Sequence, residues 1–283
     1  MDVRSRRKNL GRFQIKTQNT MKKDRISLKG QTAIVTGGGS GIGRAICIAL
    51  AKQGASLLIS GRNEKHLTET VDLIQHIGEK ADYIRADVTS SADVSAMVQK
   101  TEEMYGHIDL LYNNAGLCTV CDIETMPESW WDNTFAVNCK GVFLCSKAVI
   151  PSMKKAGRGR IINIASQAGK TAAPMQTHYS ASKAAVIAFT RGLAMELKDT
   201  GIRVNCICPG SVMSEMTLRE AQSFQKITGI DPETILESWK SSIPLGRWVT
   251  PEDVADIAVF LASDYADYMT GQSINISGGQ TMI

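Results

Sequence analysis

The 283-residue sequence has few aromatic residues (6%), only 7 prolines and no long apolar run. Its longest hydrophobic stretches have the length of one strand, well short of the roughly 20 residues that span a bilayer, so we expect no transmembrane segment. No internal repeat, low-complexity tract or Pro/Ser/Gly-rich linker divides the chain, which favours one domain. A hydrophobic fraction of 43% with 21% charged residues excludes disordered, collagen-like and coiled-coil classes.

The net charge of +4 is unevenly distributed. Residues 1–25 contain nine basic and two acidic side chains, which leaves 23 basic and 26 acidic side chains in residues 26–283. The body has no excess of positive charge, so we expect it to bind neither nucleic acid nor a membrane. We interpret residues 1–25 as a basic, disordered N-terminal extension; Met21 as the true start, or a transit peptide, are the alternatives.

The seven cysteines are odd in number, which does not suit a disulfide framework. Several stand in apolar runs, as reduced, buried thiols do, so we expect an intracellular, cytoplasmic protein. Cys118 and Cys121 form an isolated C-x-x-C without a second ligand pair, and we predict no metal site.

Strand-like runs alternate with helical periodicity from residue 30 onward. The predicted strands are 32–36, 56–60, 81–86, 108–112, 160–165, 203–207 and 273–276, and clear helical spacing occupies 44–53 and 181–197. With right-handed crossovers, this alternation predicts an α/β fold: one Rossmann-type doubly wound domain over residues 26–283, with a seven-stranded parallel sheet flanked by helices. Ligands of such a sheet bind at the carboxyl ends of its strands, where the winding reverses.

A glycine-rich turn, Thr-Gly-Gly-Gly-Ser-Gly-Ile-Gly at 36–43, joins the first predicted strand to a helix. Glycine lets the backbone turn tightly and approach a pyrophosphate, and the helix N-terminus attracts its charge. A flexible loop is the alternative, but the position after the first strand favours a dinucleotide site. The expected contacts are Gly37, Gly39, Ser40, Gly41, Ile42 and Gly43.

Tyr179 and Lys183 lie four residues apart at the start of a predicted helix, so both project from one face. An ordinary tyrosine, with a pKa of about 10, is a poor base at neutral pH. A neighbouring ammonium group favours the phenolate, so we expect the pair to lower the pKa of Tyr179 towards useful acid–base chemistry.

In their order and spacing, these motifs resemble those of the short-chain dehydrogenase/reductase family, from about residue 27 to the C-terminus. The resemblance is carried by the G-x-x-x-G-x-G turn, Asn113-Asn114-Ala115-Gly116, Asn138, Ser166, the Tyr-Ser-Ala-Ser-Lys run at 179–183, and Pro209-Gly210. It implies an NAD(P)-dependent oxidoreductase that interconverts a secondary alcohol and a ketone. A non-catalytic cofactor-binding regulatory module is the alternative from another class.

The resemblance also implies the roles of individual residues. Tyr179 would be the general acid/base, Ser166 would bind the same substrate oxygen, Lys183 would also bind the nicotinamide ribose, and Asn138 would hold a proton-relaying water. Asp87 and Val88 would contact adenine, and Val212 and Ser214 the nicotinamide carboxamide. The remaining implied cofactor contacts are Asn114, Ala115, Gly116, Pro209 and Gly210.

The end of the second strand bears on the choice of cofactor. NAD-selective sites place a carboxylate there, but this chain has Gly61 and then Arg62, whose guanidinium suits a 2′-phosphate. Ser40 occupies the family's other basic position, so one cationic contact is missing. NADP is favoured, and NAD is the alternative.

The substrate is less constrained. Residues 214–244 stand where the family has its substrate lid, although two ordinary surface helices would show the same pattern. Residues beside Ser166 and the C-terminal run resemble the family's sugar-alcohol (polyol) dehydrogenases, which favours a sugar alcohol or sugar acid. The alternatives are 3-oxoacyl-thioester (acyl carrier protein) reduction and hydroxysteroid or carbonyl reduction. The expected pocket-edge residues are Cys118, Cys121, Met175, Gln176 and His178, the last as a surface histidine.

A homotetramer is also implied, because family members commonly pair two long helices, here around 141–155 and 181–197. Ala184, Ala185, Ala188 and Ala194 would permit close packing. The alternative is that these alanines face the sheet.

Overall fold

The computed structural model describes residues 26–171 and 173–283. The predicted N-terminal extension, residues 1–25, lies outside the described residues. Within the described part, seven strands form one parallel sheet in the order β3-β2-β1-β4-β5-β6-β7. They are β1 (Thr32–Thr36), β2 (Ser56–Gly61), β3 (Ala81–Arg85), β4 (Leu110–Asn113), β5 (Gly159–Ile164), β6 (Ile202–Pro209) and β7 (Ser273–Ile276). The predicted doubly wound, seven-stranded parallel fold is confirmed.

Helices cover both faces of the sheet. They are α1 (Gly41–Lys52), α2 (Glu64–His76), α3 (Ser91–Tyr105), α4 (Glu128–Phe135), α5 (Gly141–Ala156), α6 (Thr177–Glu196), α7 (Glu215–Thr228), α8 (Pro232–Ser241) and α9 (Pro251–Ala262). Successive strand side chains point to opposite faces, so Ile34 and Val35 enter two different cores. Val35 packs in the core that includes α1 and α9, and Ile34 in the core that includes α3, α5 and α6.

The start of β4 differs from the prediction. The run 108–112 is apolar at its first position, but the strand begins at Leu110. Asp109 is buried there, and its Oδ2 accepts the backbone N–H of Thr32 at 2.9 Å. The carboxylate thus takes a hydrogen bond that a backbone carbonyl would accept in a regular ladder.

The winding of the sheet reverses between β1 and β4, which pair directly from Ala33–Leu110 to Val35–Tyr112. Connections from β1 and β4 run to opposite edges of the sheet, so the carboxyl ends of these two strands border a crevice. Tyr112 joins β4 to α9 next to this crevice, because its buried hydroxyl donates to the Ala258 carbonyl of α9 at 2.9 Å.

Four alanines of α6 have different surroundings. Ala184 and Ala188 are exposed and Ala185 is half-buried, as an intersubunit surface would require. Ala194 was expected on that surface, and the structure contradicts this: it is buried in the core with α3 and α5. Ala194 stands four positions after Thr190 and seven after Ile187, so it lies on the same buried face of the helix as these two residues.

In residues 26–171 and 173–283, no helix combines the length and hydropathy needed to cross a bilayer.

Candidate active site

A single cavity of about 850 Å³ runs along the carboxyl edge of the sheet. The glycine turn and the end of β2 line one part of it, Ser166, Tyr179 and Lys183 line another, and α7 and α8 contribute Glu220, Phe224 and Trp239. We call the part formed with α7 and α8 the lid end. The fold therefore brings the glycine turn, three of the four predicted catalytic side chains and the predicted lid to one space.

Every predicted cofactor contact except Gly39 lines this cavity. Gly39 faces α2 instead, since a Cβ built on it would lie 3.0 Å from Cβ of His66. Asn138, the fourth predicted catalytic residue, is buried outside the cavity lining.

The glycine turn is tight enough to require glycine. Gly37 has φ +66°, and a Cβ on Gly43 would lie only 2.2 Å from the Gly37 carbonyl oxygen. This close approach packs the start of α1 onto the end of β1. Ser40, the N-cap of α1, makes no side-chain cap, so the first amides of the helix are available to an anionic ligand. A narrow cradle with free helix amides fits the pyrophosphate of a dinucleotide.

Thr36 joins the two walls of the crevice. Its Oγ1 donates to the Tyr112 carbonyl at 3.2 Å and accepts the N–H groups of Asn114 at 3.0 Å and Ala115 at 3.1 Å. The Asn114 amide in turn donates to the carbonyls of Thr36 at 3.0 Å and Gly37 at 3.1 Å. Sequence reasoning missed this role of Thr36, although the residue opens the glycine motif.

Two arginines reach the β2 end of the cavity, but only one is engaged. Arg44 donates to the Gly39 carbonyl at 2.6 Å and to Glu69 Oε2 at 2.9 Å. Arg62 lines the same end, is exposed, and makes no ion pair within the described residues. Its guanidinium is therefore available to an anionic group. Sequence analysis did not identify Arg44 and Glu69, although Arg44 directly follows the last motif glycine.

Helix α6 carries both Tyr179 and Lys183. Lys183 is 5% exposed, and its Nζ donates to the Ile164 carbonyl at 2.9 Å and lies 5.6 Å from the centre of the Tyr179 ring. Burial lowers the pKa of Lys183. The lysine is thus held by the end of β5, under the tyrosine.

The expected lowering of the pKa of Tyr179 is wrong for this structure. Burial raises that pKa above its ordinary value, the Glu220 carboxylate adds to the increase, and a hydrogen bond with Ser166 opposes it. The spacing of Tyr179 and Lys183 correctly placed the two groups together, but desolvation of the phenol, and not the neighbouring ammonium, sets the direction of the pKa shift. The raised pKa favours the protonated phenol, the form that a general acid requires.

Ser166 follows β5 and caps a short 3₁₀ turn, where its Oγ accepts the Ala168 N–H at 3.1 Å. A backbone constraint of this kind limits the positions that the hydroxyl can adopt. Its hydrogen bond with Tyr179 directs both hydroxyl groups to the same region of the cavity.

Asn138 lies in a π-helical turn, Ala136–Lys140, between α4 and α5. Its amide exchanges two hydrogen bonds with the backbone of Leu117, at 2.9 and 3.0 Å, and donates to Ser182 Oγ at 2.9 Å. A Cβ on Gly116 would lie 3.3 Å from Asn138 Oδ1 and 3.4 Å from Lys183 Nζ, so Gly116 lies between these groups. Asn138 therefore holds the loop after β4 against the helix that carries the candidate catalytic pair.

The lid end is formed by two helices that pack on each other. Phe224 of α7 and Trp239 of α8 meet edge to face, with ring centres 5.3 Å apart. Glu220 of α7 is directed to α6, where Gln176 Nε2 donates to its Oε2 at 3.3 Å, and the Cys118 thiol also hydrogen-bonds to it. Burial raises the pKa of Glu220. No sequence signal identified Glu220, which is one of many polar residues in an amphipathic segment.

The expected pocket-edge residues require correction. Of the five, only Gln176 lines the cavity. His178 is fully buried rather than on the surface, and its Nε2 is hydrogen-bonded to Thr119 Oγ1 at 2.6 Å. Burial lowers its pKa. Cys121 bonds through its backbone N–H to the Met175 carbonyl at 2.9 Å, which ties their two loops together beside the site.

Among the described residues, no group of three or more His, Cys, Asp and Glu side chains is arranged to hold a metal ion.

The doubly wound sheet, the glycine cradle at its switch point and the Ser, Tyr and Lys side chains in one cavity define a dinucleotide-dependent oxidoreductase. The family model described as "Enoyl-(Acyl carrier protein) reductase" matches residues 37–281. The chain belongs to the short-chain dehydrogenase/reductase family and is an oxidoreductase of alcohol or ketone groups.

Known relatives are similar over nearly their whole length. An uncharacterized oxidoreductase of Thermotoga maritima is 40% identical over 91% of this chain and 100% of its own. A 3-oxoacyl-acyl-carrier-protein reductase of the same organism is 38% identical over 90% of this chain and 99% of its own. A crystal structure of an actinorhodin polyketide ketoreductase variant with NADPH has a TM-score of 0.86 and 35% identity, and the match covers 88% of this chain and 97% of that one.

Proposed function

We propose that this protein is an NADPH-dependent ketoreductase that reduces the ketone of a 3-oxoacyl thioester to a secondary alcohol. The observation that carries the proposal is geometric: Tyr179, Ser166 and Lys183 line the same cavity as the glycine turn that would hold the cofactor. The relatives named for 3-oxoacyl and polyketide ketone reduction support the substrate class. These relatives favour 3-oxoacyl-thioester reduction, an alternative in the sequence analysis, over the sugar-alcohol substrate that the sequence favoured.

The side chains of the site divide the work of reduction. NADPH, when bound in the glycine cradle, supplies the hydride. Ser166 and Tyr179 bind the ketone oxygen, and Tyr179 donates its proton to that oxygen as it becomes the alcohol oxygen. The Lys183 ammonium stabilises the phenolate that remains. Asn138 holds the loop after β4 against the helix that carries Lys183, and it binds a proton-relaying water. The predicted lid, residues 214–244, excludes water when substrate is bound.

The test is an absorbance assay of NADPH oxidation with the acetoacetyl thioester of N-acetylcysteamine as substrate. Wild-type protein is expected to oxidise NADPH, and Tyr179→Phe to lose activity by about 10²-fold or more, the usual contribution of a general acid. The variant should retain NADPH binding, since it loses one hydroxyl group. Unchanged turnover in Tyr179→Phe would contradict the proposal.

We propose NADP rather than NAD because Arg62 is unpaired at the β2 end of the cavity. Arg62→Ala should weaken NADPH binding about tenfold or more, the weight of a charge-assisted contact, and leave NADH binding nearly unchanged. Lys65→Ala is the matched control, because Lys65 is an exposed cation of α2 that does not line the cavity. Equal losses for both cofactors in Arg62→Ala would argue against a 2′-phosphate contact.

A sugar alcohol or sugar acid is the second candidate substrate. It is favoured by the polar groups at the lid end, where Gln280 Nε2 donates to Ser242 Oγ at 2.8 Å and its Oε1 accepts from Gln167 Nε2 at 3.3 Å. Reduction of NADP⁺ or NAD⁺ with a panel of polyols, together with inactivity towards the thioester, would support this candidate instead.

We also propose a homotetramer that acts in the cytoplasm. Trp130 and Trp131 of α4, Phe143 of α5 and Met195 of α6 are exposed apolar side chains, as an interface requires. The seven cysteines are all free thiols, as in a reducing compartment. Light scattering of the purified chain should give four times the monomer mass, and a monomer would refute the assembly.

A further inference from the structure

The carboxylate of Glu220 occupies an unusual position for a lid residue. Glu220 is half-buried on α7 and lines the cavity that also contains Tyr179 and Ser166. Its Oε2 accepts a hydrogen bond from Gln176, three residues before Tyr179 at the start of α6, and its charge acts on the Tyr179 phenol. The carboxylate therefore lies near the point at which the ketone is reduced.

The protein only partly satisfies this carboxylate. Among the described residues, two side-chain donors reach it: the Gln176 amide and the Cys118 thiol, a weak donor. An ionised carboxylate has about four acceptor positions, so it retains capacity for further donors.

The nearby cations do not neutralise Glu220. Within residues 26–171 and 173–283 it makes no ion pair. Arg219 lines the same cavity and its charge lowers the Glu220 pKa, but this side chain is 69% exposed and lies 4.0 Å from Glu215. Lys183 Nζ donates to the Ile164 carbonyl. A half-buried carboxylate without a cation is stabilised by hydrogen-bond donors and destabilised by a second negative charge. A ligand in the cavity can supply the donors.

We propose that Glu220 determines substrate specificity by accepting a hydrogen bond from a neutral O–H or N–H group of the ketone substrate and by repelling substrates with a carboxylate at that position. The inference rests on the proposed ketoreductase function. A hydroxyl of the carbon chain and the amide N–H of a thioester arm are two sources of the same donor chemistry.

Four ketones distinguish the two sources and isolate the charge. The acetoacetyl thioester of N-acetylcysteamine carries an amide donor, 4-hydroxy-2-butanone carries a hydroxyl donor, ethyl acetoacetate has neither, and acetoacetate is an anion. We would measure kcat/KM for each with NADPH, using the full chain as wild type, Glu220→Gln and Glu220→Ala. Glu220→Gln removes the charge at constant shape, and Glu220→Ala removes the acceptor.

The expected pattern depends on the substrate. In Glu220→Ala, kcat/KM should fall about tenfold or more for whichever donor substrate uses the contact, the weight of a hydrogen bond to a charged group, and change less than about twofold for ethyl acetoacetate. In Glu220→Gln, the donor substrate should lose less and acetoacetate should gain about tenfold, because the repulsion has been removed.

The matched control is Glu237→Gln. Glu237 is a carboxylate of α8 in the same lid, 72% exposed and 3.7 Å from Lys240, and it does not line the cavity. Its substitution should leave all four values unchanged. NADPH affinity and the unfolding midpoint of each variant would show that the fold and the cofactor site are intact.

Two results would overturn the inference, and they are distinguishable. If wild type reduces ketones but the Glu220 variants change all four values by the same factor, Glu220 has only a structural role. If wild type binds NADPH but reduces none of the four ketones, the proposed function itself fails, and the inference fails with it.

Discussion

Replacement of Thr36 by valine should weaken both the fold and the cofactor site, because a single hydroxyl connects the ends of β1 and β4. Valine has nearly the same shape but no hydroxyl. The Ala115 N–H then loses its partner at 3.1 Å, and the Tyr112 carbonyl loses a donor at 3.2 Å. The Asn114 N–H keeps a second acceptor, the Tyr112 carbonyl at 3.0 Å.

The magnitude follows from these three bonds. One unpaired N–H costs about 1–3 kcal/mol, and the loss of an ordinary hydrogen bond about 1 kcal/mol. Water partly replaces the partner of Ala115, which is half-buried, so we expect a decrease of about 2 kcal/mol in the free energy of unfolding. If cofactor binding must reorder residues 114–116 in the variant at a cost of about 1.4 kcal/mol, NADPH binds about tenfold more weakly.

Urea unfolding followed by circular dichroism, and NADPH titration followed by fluorescence, measure the two effects. Thr36→Ser is the matched control, because it keeps the hydroxyl and loses one methyl group, which costs about 0.8 kcal/mol. The predicted order of stability is wild type, Thr36→Ser, Thr36→Val. A valine variant within about 0.5 kcal/mol of wild type, or a serine variant as unstable as valine, would refute the role given to the hydroxyl.

Three further predictions concern other parts of the structure. Gly169→Ala should lower the free energy of unfolding by about 1–3 kcal/mol and reduce turnover, since its Cβ would lie 2.7 Å from the backbone carbon of Lys183. The control is Gly192→Ala, because a Cβ at Gly192 on α6 would meet open space. Thermal unfolding should show a loss of stability in the first variant and none in the second. Tyr112→Phe should lower the free energy of unfolding by about 1 kcal/mol, because α9 loses a buried hydrogen bond, and no change in urea unfolding would contradict this. Asp253, whose Oδ1 accepts from Arg247 at 2.9 Å, has a pKa held well below its usual value by that hydrogen bond, so its contribution is complete above about pH 4 and is lost as the pH falls through the lowered pKa. The stability difference between wild type and Asp253→Asn should therefore decrease from pH 7 to pH 2, and a constant difference would contradict the assignment.

Much of the fold could be predicted because the inner strands of the sheet are short, mostly apolar runs that are buried on both faces of the sheet. In β1, Ile34 and Val35 enter opposite cores, so both faces of the strand are apolar, which is the pattern of a buried parallel strand. The start of β4 could not be predicted, since it depends on a hydrogen bond between Asp109 and Thr32, 77 residues away in sequence. The π-helical turn that holds Asn138 has no local sequence signal either.

The candidate site was predictable where a local motif positions it and unpredictable where tertiary packing does. Helical spacing placed Tyr179 and Lys183 together, but only the structure shows that burial of the phenol raises its pKa. His178, expected as a surface histidine, is fully buried by tertiary packing that the sequence alone does not show. Glu220 enters the site because α7 folds over the cavity, and an amphipathic pattern does not reveal what a helix covers.

We propose that the cavity holds NADPH and the ketone for hydride transfer while Tyr179 supplies the proton. The most direct measurement uses NADPH deuterated at the transferred position of C4, the acetoacetyl thioester of N-acetylcysteamine, and mass spectrometry of the product. We expect one deuterium on the new carbinol carbon with wild type and almost no product with Tyr179→Phe, although the variant binds NADPH. An alcohol product without deuterium, or equal product from the variant, would contradict it.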